Sequence, residues 1–242
     1  LLFTFSKNEK KSLKKNFNEN LIIPIGSAKN NHYYKQEIKK KKILFFSEYK
    51  VRRFTYDEKT ILKSLDKYCS LNKLSFDVQI RYKNIPNDYF EILKKNRICN
   101  YDKILTRYDA SSSYKNSNNY NILILTNSTL SDEFLSNYKR VVVLSSHDDF
   151  DDIKYEELNC GKKRKINFEN LMFQEMLPKN FSWTSNLNEK NVFTILDNVI
   201  KCDEKKWREH VDKYINRFLY DQNNKIFINK LKEIGIVSKL IK

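Results

Sequence analysis

The stretch NILILTNSTLSDEFLSNYKRVVVLS, residues 121–145, contains two apolar segments with a helical pattern between them. Residues 121–126 and 140–145 are apolar on both faces of an extended chain, so we expect each to be a strand that is covered on both sides. The residues between them place Leu130, Phe134 and Leu135 at helical spacing. Strand, helix and strand in this order form a βαβ unit, which predicts a parallel sheet at the centre of the protein.

Further strands and helices are predicted on the N-terminal side of this unit. The apolar run 42–47 is typical of a buried strand, and Thr55 can cap the helix that follows it. The alternating pattern of residues 76–82 predicts a half-exposed strand near a sheet edge. Pro86 is placed to open a short helix, and the polar stretch 109–119 predicts a mobile surface loop.

Composition divides the chain into three regions. Residues 1–40 are rich in Lys and Asn and have little periodicity, which predicts a basic extended N-terminal arm. Residues 41–160 carry the α/β core pattern, and residues 161–242 are mostly helical. We therefore expect an α/β fold: a small, mostly parallel sheet with flanking helices, a basic arm and a helical C-terminal part. Trp207 lies on an apolar helix face that either packs on the core or docks a partner protein.

The chain is strongly basic, with 46 Lys+Arg, 30 Asp+Glu and a formal net charge of +16. The excess of Lys over Arg reflects AT-rich codons, but the surplus charge itself favours polyanionic partners. Tyr33, Tyr34, Tyr49 and Phe54 lie among the basic residues, so phosphate neutralisation and base stacking can act together. The candidate RNA-binding residues are Lys39, Lys40, Lys41, Lys42, Lys50, Arg52, Arg53, Lys162, Lys163, Arg164 and Lys165. A merely solvated face is the alternative, or a nuclear localisation signal for residues 162–165.

Motifs for enzyme chemistry are scarce. The three glycines are isolated from one another, which excludes a phosphate-binding loop and a dinucleotide fingerprint. An acidic segment follows the strand 140–145, and a metal site there would use His147, Asp148, Asp149 and Asp151. Because Asp clusters after strands commonly form turns and helix caps, we favour no metal at this segment. We predict no catalytic residues, no cofactor and no enzyme activity.

The features above resemble a known class of protein. High positive charge, an irregular basic arm, no complete catalytic constellation and a start at Leu1 rather than Met make the chain similar to an accessory ribosomal protein. The similarity is to mitochondrial ribosomes of unicellular eukaryotes with AT-rich genomes. It implies a structural, rRNA-binding role in the mitochondrial matrix, with rRNA and neighbouring ribosomal proteins as partners. No apolar run approaches the roughly 20 residues of a transmembrane helix.

Two alternatives remain open. The first is a soluble α/β enzyme that transfers nucleotides or sugars, with its site at the carboxyl ends of the strands ending near Phe46, Thr126 and Ser145. The second is a structural subunit of a mitochondrial membrane complex whose lysines contact lipid headgroups. A stabilising small ligand is expected for the enzyme, whereas binding to anionic vesicles is expected for the membrane subunit.

Overall fold

The computed structural model of this 242-residue protein describes residues 1–5, 7–32, 42–47, 49, 55–109, 111–126, 128, 130–144, 181–215 and 219–235. Its strands are β1 (Leu2–Thr4), β2 (Ile22–Pro24), β3 (Ile43–Phe46), β4 (Phe76–Gln79), β5 (Tyr101–Leu105), β6 (Ile122–Leu125), β7 (Arg140–Leu144) and β8 (Trp183–Thr184). Its helices are α1 (Lys7–Leu13), α2 (Thr55–Asn72), α3 (Asn87–Lys95), α4 (Ser112–Ser117), α5 (Leu130–Ser136), α6 (Glu189–Lys201), α7 (Glu204–Ile215) and α8 (Lys225–Glu233). Within the described part of the chain, none of the helices combines the length and apolarity needed to cross a membrane.

Six of the strands form one sheet in the order β5-β4-β3-β6-β7-β8, and every neighbouring pair in it is parallel. Strands β3, β4 and β5 follow one another in one direction across the sheet, and β6 then lies on the other side of β3. Strand order reverses at this point, and a crevice opens there at the carboxyl edge of a doubly wound sheet. The predicted fold class, a mostly parallel sheet with flanking helices and a helical C-terminal part, is confirmed.

The core is centred on the middle strands. All residues of β3 and β6 are buried, as their continuous apolarity predicted. Trp207 on α7 is fully buried, and its indole N–H donates to the Tyr138 carbonyl at 3.1 Å. The hydroxyl of Tyr68 on α2 donates to Asp197 on α6 at 2.7 Å, which joins two helices that cover the sheet.

The prediction that β4 is a half-exposed edge strand is wrong. β4 lies between β3 and β5, and its four residues are all buried. Side chains in and around α4 supply hydrogen bonds to its polar residues, although Asp77 Oδ1 has no partner among the described residues. Asp77 accepts a hydrogen bond from the Tyr120 hydroxyl, and the Gln79 amide donates to Ser113 Oγ at 3.0 Å.

The polar stretch 109–119 is also not the loop that its composition predicted. It contains α4, in which Ser112, Ser113, Tyr114 and Ser117 are buried. Small serine side chains let this short helix approach the sheet closely, and their hydroxyls are hydrogen-bonded rather than left in solvent. For example, Ser117 Oγ accepts a bond from the Lys139 ammonium at 2.7 Å and donates to the Tyr114 carbonyl at 2.7 Å.

The N-terminal region differs from the extended arm that was expected. β1, α1 and β2 form a small βαβ unit, and residues 22–31 include the buried side chains of Ile22, Ile25, Asn30 and Asn31. The buried side chain of Asn31 makes three hydrogen bonds, two of them to the C-terminal segment. Its amide donates to the Ile25 carbonyl and to Asn224 Oδ1, both at 2.8 Å, and its Oδ1 accepts from the Asp221 N–H at 3.0 Å. Asparagine therefore serves here as a buried connector between the two ends of the chain.

Candidate functional site

The candidate site lies at the carboxyl edge of the central sheet, beside the point where strand order reverses. Ser47 directly follows β3, and Thr126 directly follows β6. These are the two strands between which a doubly wound sheet opens its crevice. A narrow recess of about 40 Å³ is lined by Ser47, Gln79, Thr126 and Ser128, together with two arginines, Arg81 and Arg107.

A larger cleft of about 420 Å³ adjoins this recess. The lining residues common to both cavities are Arg81, Arg107, Ser113, Ser128 and Leu130. The far wall of the larger cleft comes from the N-terminal segment, through Phe5 and residues 27–29. A volume of this size falls in the range of about 300–1,000 Å³ that small-molecule sites occupy.

Arg81 and Arg107 are placed side by side by the backbone of neighbouring strands. The parallel pairing of β4 and β5 continues past both strand ends, since the Ile80 N–H donates to the Leu105 carbonyl and the Arg107 N–H donates to the Tyr82 carbonyl, each at 2.9 Å. Arg81 shares a face of β4 with Gln79, because side chains alternate along a strand. Both guanidinium groups therefore stand at the same edge of the cleft.

The charge of the larger cleft favours an anion. Its lining includes Arg81, Arg107 and Lys29 but, of the described residues, only one carboxylate, Glu133. That carboxylate already accepts hydrogen bonds from the Ser27 hydroxyl at 2.8 Å and the Tyr114 hydroxyl at 2.5 Å. Glu133 consequently ties the N-terminal segment and α4 to α5, while the arginines face the cavity.

The first turn of α2 is closed to an anionic ligand by buried acids. Asp57 is 0% exposed and Glu58 is 5% exposed at this helix start, which follows β3. Glu58 Oε1 accepts from Ser47 Oγ at 2.5 Å and from the Tyr89 hydroxyl at 3.1 Å. Burial and the adjacent Glu58 carboxylate raise the pKa of Tyr89. Dinucleotide-binding folds place a pyrophosphate at the corresponding helix start, where these two buried acids disfavour an anion.

Thr126 carries an unsatisfied polar atom inside the recess. Its side chain is 1% exposed, and within the described ranges its Oγ1 has no hydrogen-bond partner. A buried hydroxyl without a partner costs about 1–3 kcal/mol, and proteins rarely retain one without a reason. The position of this hydroxyl at the carboxyl end of β6 indicates a bound ligand or solvent molecule as its partner.

Of the RNA-binding residues predicted from the sequence, the structure describes only Lys42. Lys42 is exposed at the start of β3, on the edge of the sheet opposite the cleft. The other predicted RNA-binding residues lie outside the described residues, and their role stays a prediction: Lys39, Lys40, Lys41, Lys50, Arg52, Arg53, Lys162, Lys163, Arg164 and Lys165.

The metal candidates His147, Asp148, Asp149 and Asp151 also lie outside the described residues. Within the described part of the chain, no group of three or more His, Cys, Asp or Glu side chains is placed to hold a metal ion. Arg81 and Arg107, which the structure brings together, were not among the predicted site residues. The sequence repeats the dipeptide Arg-Tyr at residues 81–82 and 107–108. This repeat indicates two neighbouring arginines only once β5 is known to pair with β4.

Comparison with protein families gives one match. The model of a family described as "putative O-antigen biosynthesis protein" matches residues 53–235, which is most of the chain and includes every strand of the central sheet except β3. No curated protein matches the chain.

Solved structures with a similar fold belong to larger proteins. The wall teichoic acid polymerase TagF aligns over 99% of this chain and 58% of its own, with 17% identity and a TM-score of 0.56. A TagF variant soaked with CDPG aligns over the same shares, with 14% identity and a TM-score of 0.58. The S. aureus MnaA–UDP co-structure aligns over 98% of this chain and 60% of its own, with 13% identity and a TM-score of 0.56. This chain thus spans less than two thirds of their length, and the likeness shows a shared fold.

These findings correct the interpretation drawn from composition. The resemblance to a mitochondrial ribosomal protein is wrong, and so is the structural, rRNA-binding role that it implied, because the matching family is one of O-antigen biosynthesis. The prediction of no enzyme activity is contradicted too, since the similar solved structures include a polymerase. The net charge led to the wrong class of protein because it indicates which kind of partner a protein attracts and carries no information about its fold. The findings instead favour the alternative of a sugar-transferring α/β enzyme.

Proposed function

Because the chain belongs to the family of O-antigen biosynthesis proteins, we propose that it binds a nucleotide-activated sugar and takes part in its transfer during polymer assembly. The observation that carries this proposal is that Arg81 and Arg107 line the same recess as the unsatisfied hydroxyl of Thr126. The cleft lies at the reversal of strand order, where open α/β sheets bind their ligands. The ligands named for the similar structures, UDP and CDPG, support a nucleotide donor.

The two arginines suit a diphosphate. A guanidinium group can donate two parallel hydrogen bonds to phosphate oxygens, and two such groups side by side match two linked phosphates. When the bond between sugar and diphosphate breaks, negative charge grows on the leaving diphosphate. Cations held in place before the reaction stabilise that charge most effectively. We assign Arg81 and Arg107 this role.

The hydroxyl groups of the recess supply directional contacts. Thr126 Oγ1 can donate to a ligand oxygen without giving up any hydrogen bond to the described residues. Ser47 is less available, since its hydroxyl donates to Glu58 and accepts from the Tyr49 N–H at 3.2 Å. Ser47 therefore shapes the recess, while Thr126 and Ser128 contact the ligand.

Calorimetric titration with nucleotides of decreasing charge tests the proposal. UDP, UMP and uridine share one base and one ribose but differ in the number of phosphates, and CDP changes only the base. We expect a nucleoside diphosphate to bind at least tenfold more tightly than its monophosphate, and the nucleoside alone to bind most weakly. Equal affinity for UDP, UMP and uridine, or no binding of any nucleotide, would contradict the proposal. Release of UDP from UDP-sugars in the presence of an acceptor extract then measures transfer.

A further inference from the structure

The larger cleft carries a third cation, Lys29, on the wall formed by the N-terminal segment. Lys29 is exposed, and within the described ranges its ammonium makes neither an ion pair nor a hydrogen bond. Under the proposed function, on which this inference rests, Arg81 and Arg107 bind the diphosphate of the donor. The Lys29 ammonium is then left for a different anionic group in the same cleft.

The turn that carries Lys29 is held by buried polar side chains. Ser27 Oγ accepts from the Asn30 N–H at 3.4 Å, and the Ser27 carbonyl accepts from the Asn31 N–H at 2.9 Å, so the chain closes into a turn here. The Ser27 hydroxyl donates to the Glu133 carboxylate at 2.8 Å, and the Asn30 amide donates to the Glu133 carbonyl at 2.6 Å. These bonds fix the turn to α5.

The C-terminal segment holds the same turn from another direction. The Asn224 amide donates to the carbonyl of Ala28, the residue directly before Lys29, at 2.9 Å. Asn31 donates to Asn224 Oδ1 at 2.8 Å and accepts from the Asp221 N–H at 3.0 Å. The backbone on both sides of Lys29 is therefore fixed before any ligand binds. A group placed in advance loses less conformational freedom on binding, which favours affinity.

The carboxylate of Glu133, which also lines the cleft, is bonded to hydroxyl groups and not to Lys29. Glu133 Oε1 accepts from the Ser27 hydroxyl at 2.8 Å, and Oε2 accepts from the Tyr114 hydroxyl at 2.5 Å. Burial and the Glu133 carboxylate raise the pKa of Tyr114, so this phenol stays protonated and keeps donating at neutral pH. Lys29 thus remains available to a ligand.

Phe5 contributes an apolar surface to the same wall as Lys29. Its side chain is 46% exposed and lines the cleft. Its backbone is held on both sides, because its N–H donates to Glu9 at 2.6 Å and its carbonyl accepts from the Leu219 N–H at 2.9 Å. A sugar ring has apolar C–H faces and a rim of polar groups. An apolar surface with a few placed polar groups is the usual form of a site for such a ligand.

We infer that Lys29 makes the larger cleft selective for an acidic sugar, whose carboxylate pairs with the ammonium while the donor diphosphate pairs with Arg81 and Arg107. A hydrogen bond between an ammonium and a carboxylate is charge-assisted and stronger than one between neutral groups. A neutral sugar can use Phe5 and the hydroxyls of the cleft but gains nothing from this cation. The acidic sugar is either the sugar of the donor or the terminal sugar of the acceptor, and the contact with Lys29 is the same in both cases.

Calorimetric titration of UDP-glucuronate and UDP-glucose tests the donor. These ligands differ only by a carboxylate in place of a hydroxymethyl group. We expect the wild type to bind UDP-glucuronate about tenfold more tightly, Lys29→Arg to keep this preference, and Lys29→Gln to bind both ligands equally. Lys115→Gln is the matched control and should keep the preference, since Lys115 is an exposed cation of α4 outside both cavities. UDP alone should bind to all four proteins within about threefold.

Titration of two methyl glycosides into protein saturated with UDP tests the acceptor. Methyl glucuronide and methyl glucoside resemble the terminal sugar of a glycan, and they differ by the same carboxylate. A preference for the glucuronide that Lys29→Gln abolishes supports the inference and assigns the acidic sugar to the acceptor. The same result with the two UDP-sugars supports it and assigns the acidic sugar to the donor.

The absence of an acidic preference in both titrations overturns the inference, and so does a preference that persists in Lys29→Gln. Binding of UDP to the wild type in the same experiments leaves the proposed function standing in either case. Failure of UDP itself to bind would instead refute the proposed function, and the inference with it. Thermal denaturation of each variant verifies that the exposed side chain of Lys29 was replaced without loss of the fold.

Discussion

Gly26 lies against the backbone of Leu219, so closely that a Cβ on the glycine would come within 1.8 Å of the Leu219 carbonyl oxygen. Gly26 also has a φ of +71°, a conformation that other residues rarely adopt. The contact belongs to the seam where residues 25–31 meet residues 219–224. A side chain at position 26 would force these two segments apart.

Replacing Gly26 by Ala should therefore destabilise the protein more than a strained φ alone explains. The left-handed conformation costs about 1–2 kcal/mol for a residue with a Cβ, and the backbone clash adds about 1–3 kcal/mol. Gly235→Ala is the matched control, since Gly235 has a φ of +74° and no atom of the described residues lies within 4 Å of its added Cβ. Urea denaturation of both variants checks the difference. Equal losses in free energy of unfolding would show that the contact with Leu219 is unimportant.

Thr126→Val should separate ligand binding from stability. Valine has nearly the shape of threonine and removes a buried hydroxyl that has no partner in the described residues. We expect the ligand-free protein to be as stable as the wild type or slightly more so. Affinity for UDP should fall by roughly 3- to 10-fold, which corresponds to about 0.5–1.5 kcal/mol for one lost hydrogen bond. A loss of stability without a loss of affinity would assign this hydroxyl to the fold instead.

The hydrogen bond from Tyr120 to Asp77 should stabilise the middle of the sheet. In Tyr120→Phe the Asp77 carboxylate keeps its buried position on β4 but loses its donor. Leaving a buried acceptor unsatisfied costs about 1–3 kcal/mol. Tyr108→Phe serves as control, because Tyr108 is 72% exposed and its substitution should change the free energy of unfolding by no more than about 0.5 kcal/mol. Chemical denaturation followed by circular dichroism measures both.

The buried Cys69 thiol should make the stability of the protein depend on pH. Burial, with smaller effects of Asp66 and Asp102, raises the pKa of Cys69 to about 12, whereas Cys99 is exposed. In the unfolded chain a thiol ionises near about pH 8.5. The stability that the protonated Cys69 thiol contributes is therefore present below that pH and is lost as the pH rises from there towards 12.

Denaturation at pH 7.5 and 10 checks this dependence. Between these values the wild type should lose more stability than Cys69→Ala. At pH 8, thiol reagents should modify Cys99 in the native protein and Cys69 only after unfolding. Modification of both at equal rates would contradict the burial of Cys69.

Local sequence predicted those parts of the fold whose side chains interact mainly with close neighbours in the chain. β6 and β7 were evident because a strand covered on both faces is apolar throughout. β4 was misjudged since Asp77 and Gln79 look solvent-exposed until Tyr120 and Ser113, more than 30 positions away, supply their hydrogen bonds. β5 and the two-residue β8 carry too little apolar pattern to be recognised without their neighbours.

The site was predictable in place but not in its residues. The enzyme alternative located a site at the carboxyl ends of the strands near Phe46 and Thr126, where the recess lies. Arg81 and Arg107 escaped notice because they are separated by 26 positions in the chain and become neighbours only through the pairing of β4 with β5. The many lysines elsewhere gave a stronger signal of positive charge than these two residues did.

Titration of UDP into the double variant Arg81→Ala and Arg107→Ala, beside the wild type and Lys103→Ala, tests the central claim most directly. Lys103 is an exposed cation on β5 outside both cavities, so its removal controls for loss of charge alone. Each charge-assisted hydrogen bond contributes about 1.5–3 kcal/mol, so the double variant should bind UDP at least about 100-fold more weakly. Lys103→Ala should stay within about twofold of the wild type. Unchanged affinity in the double variant would contradict a nucleoside diphosphate site at this cleft.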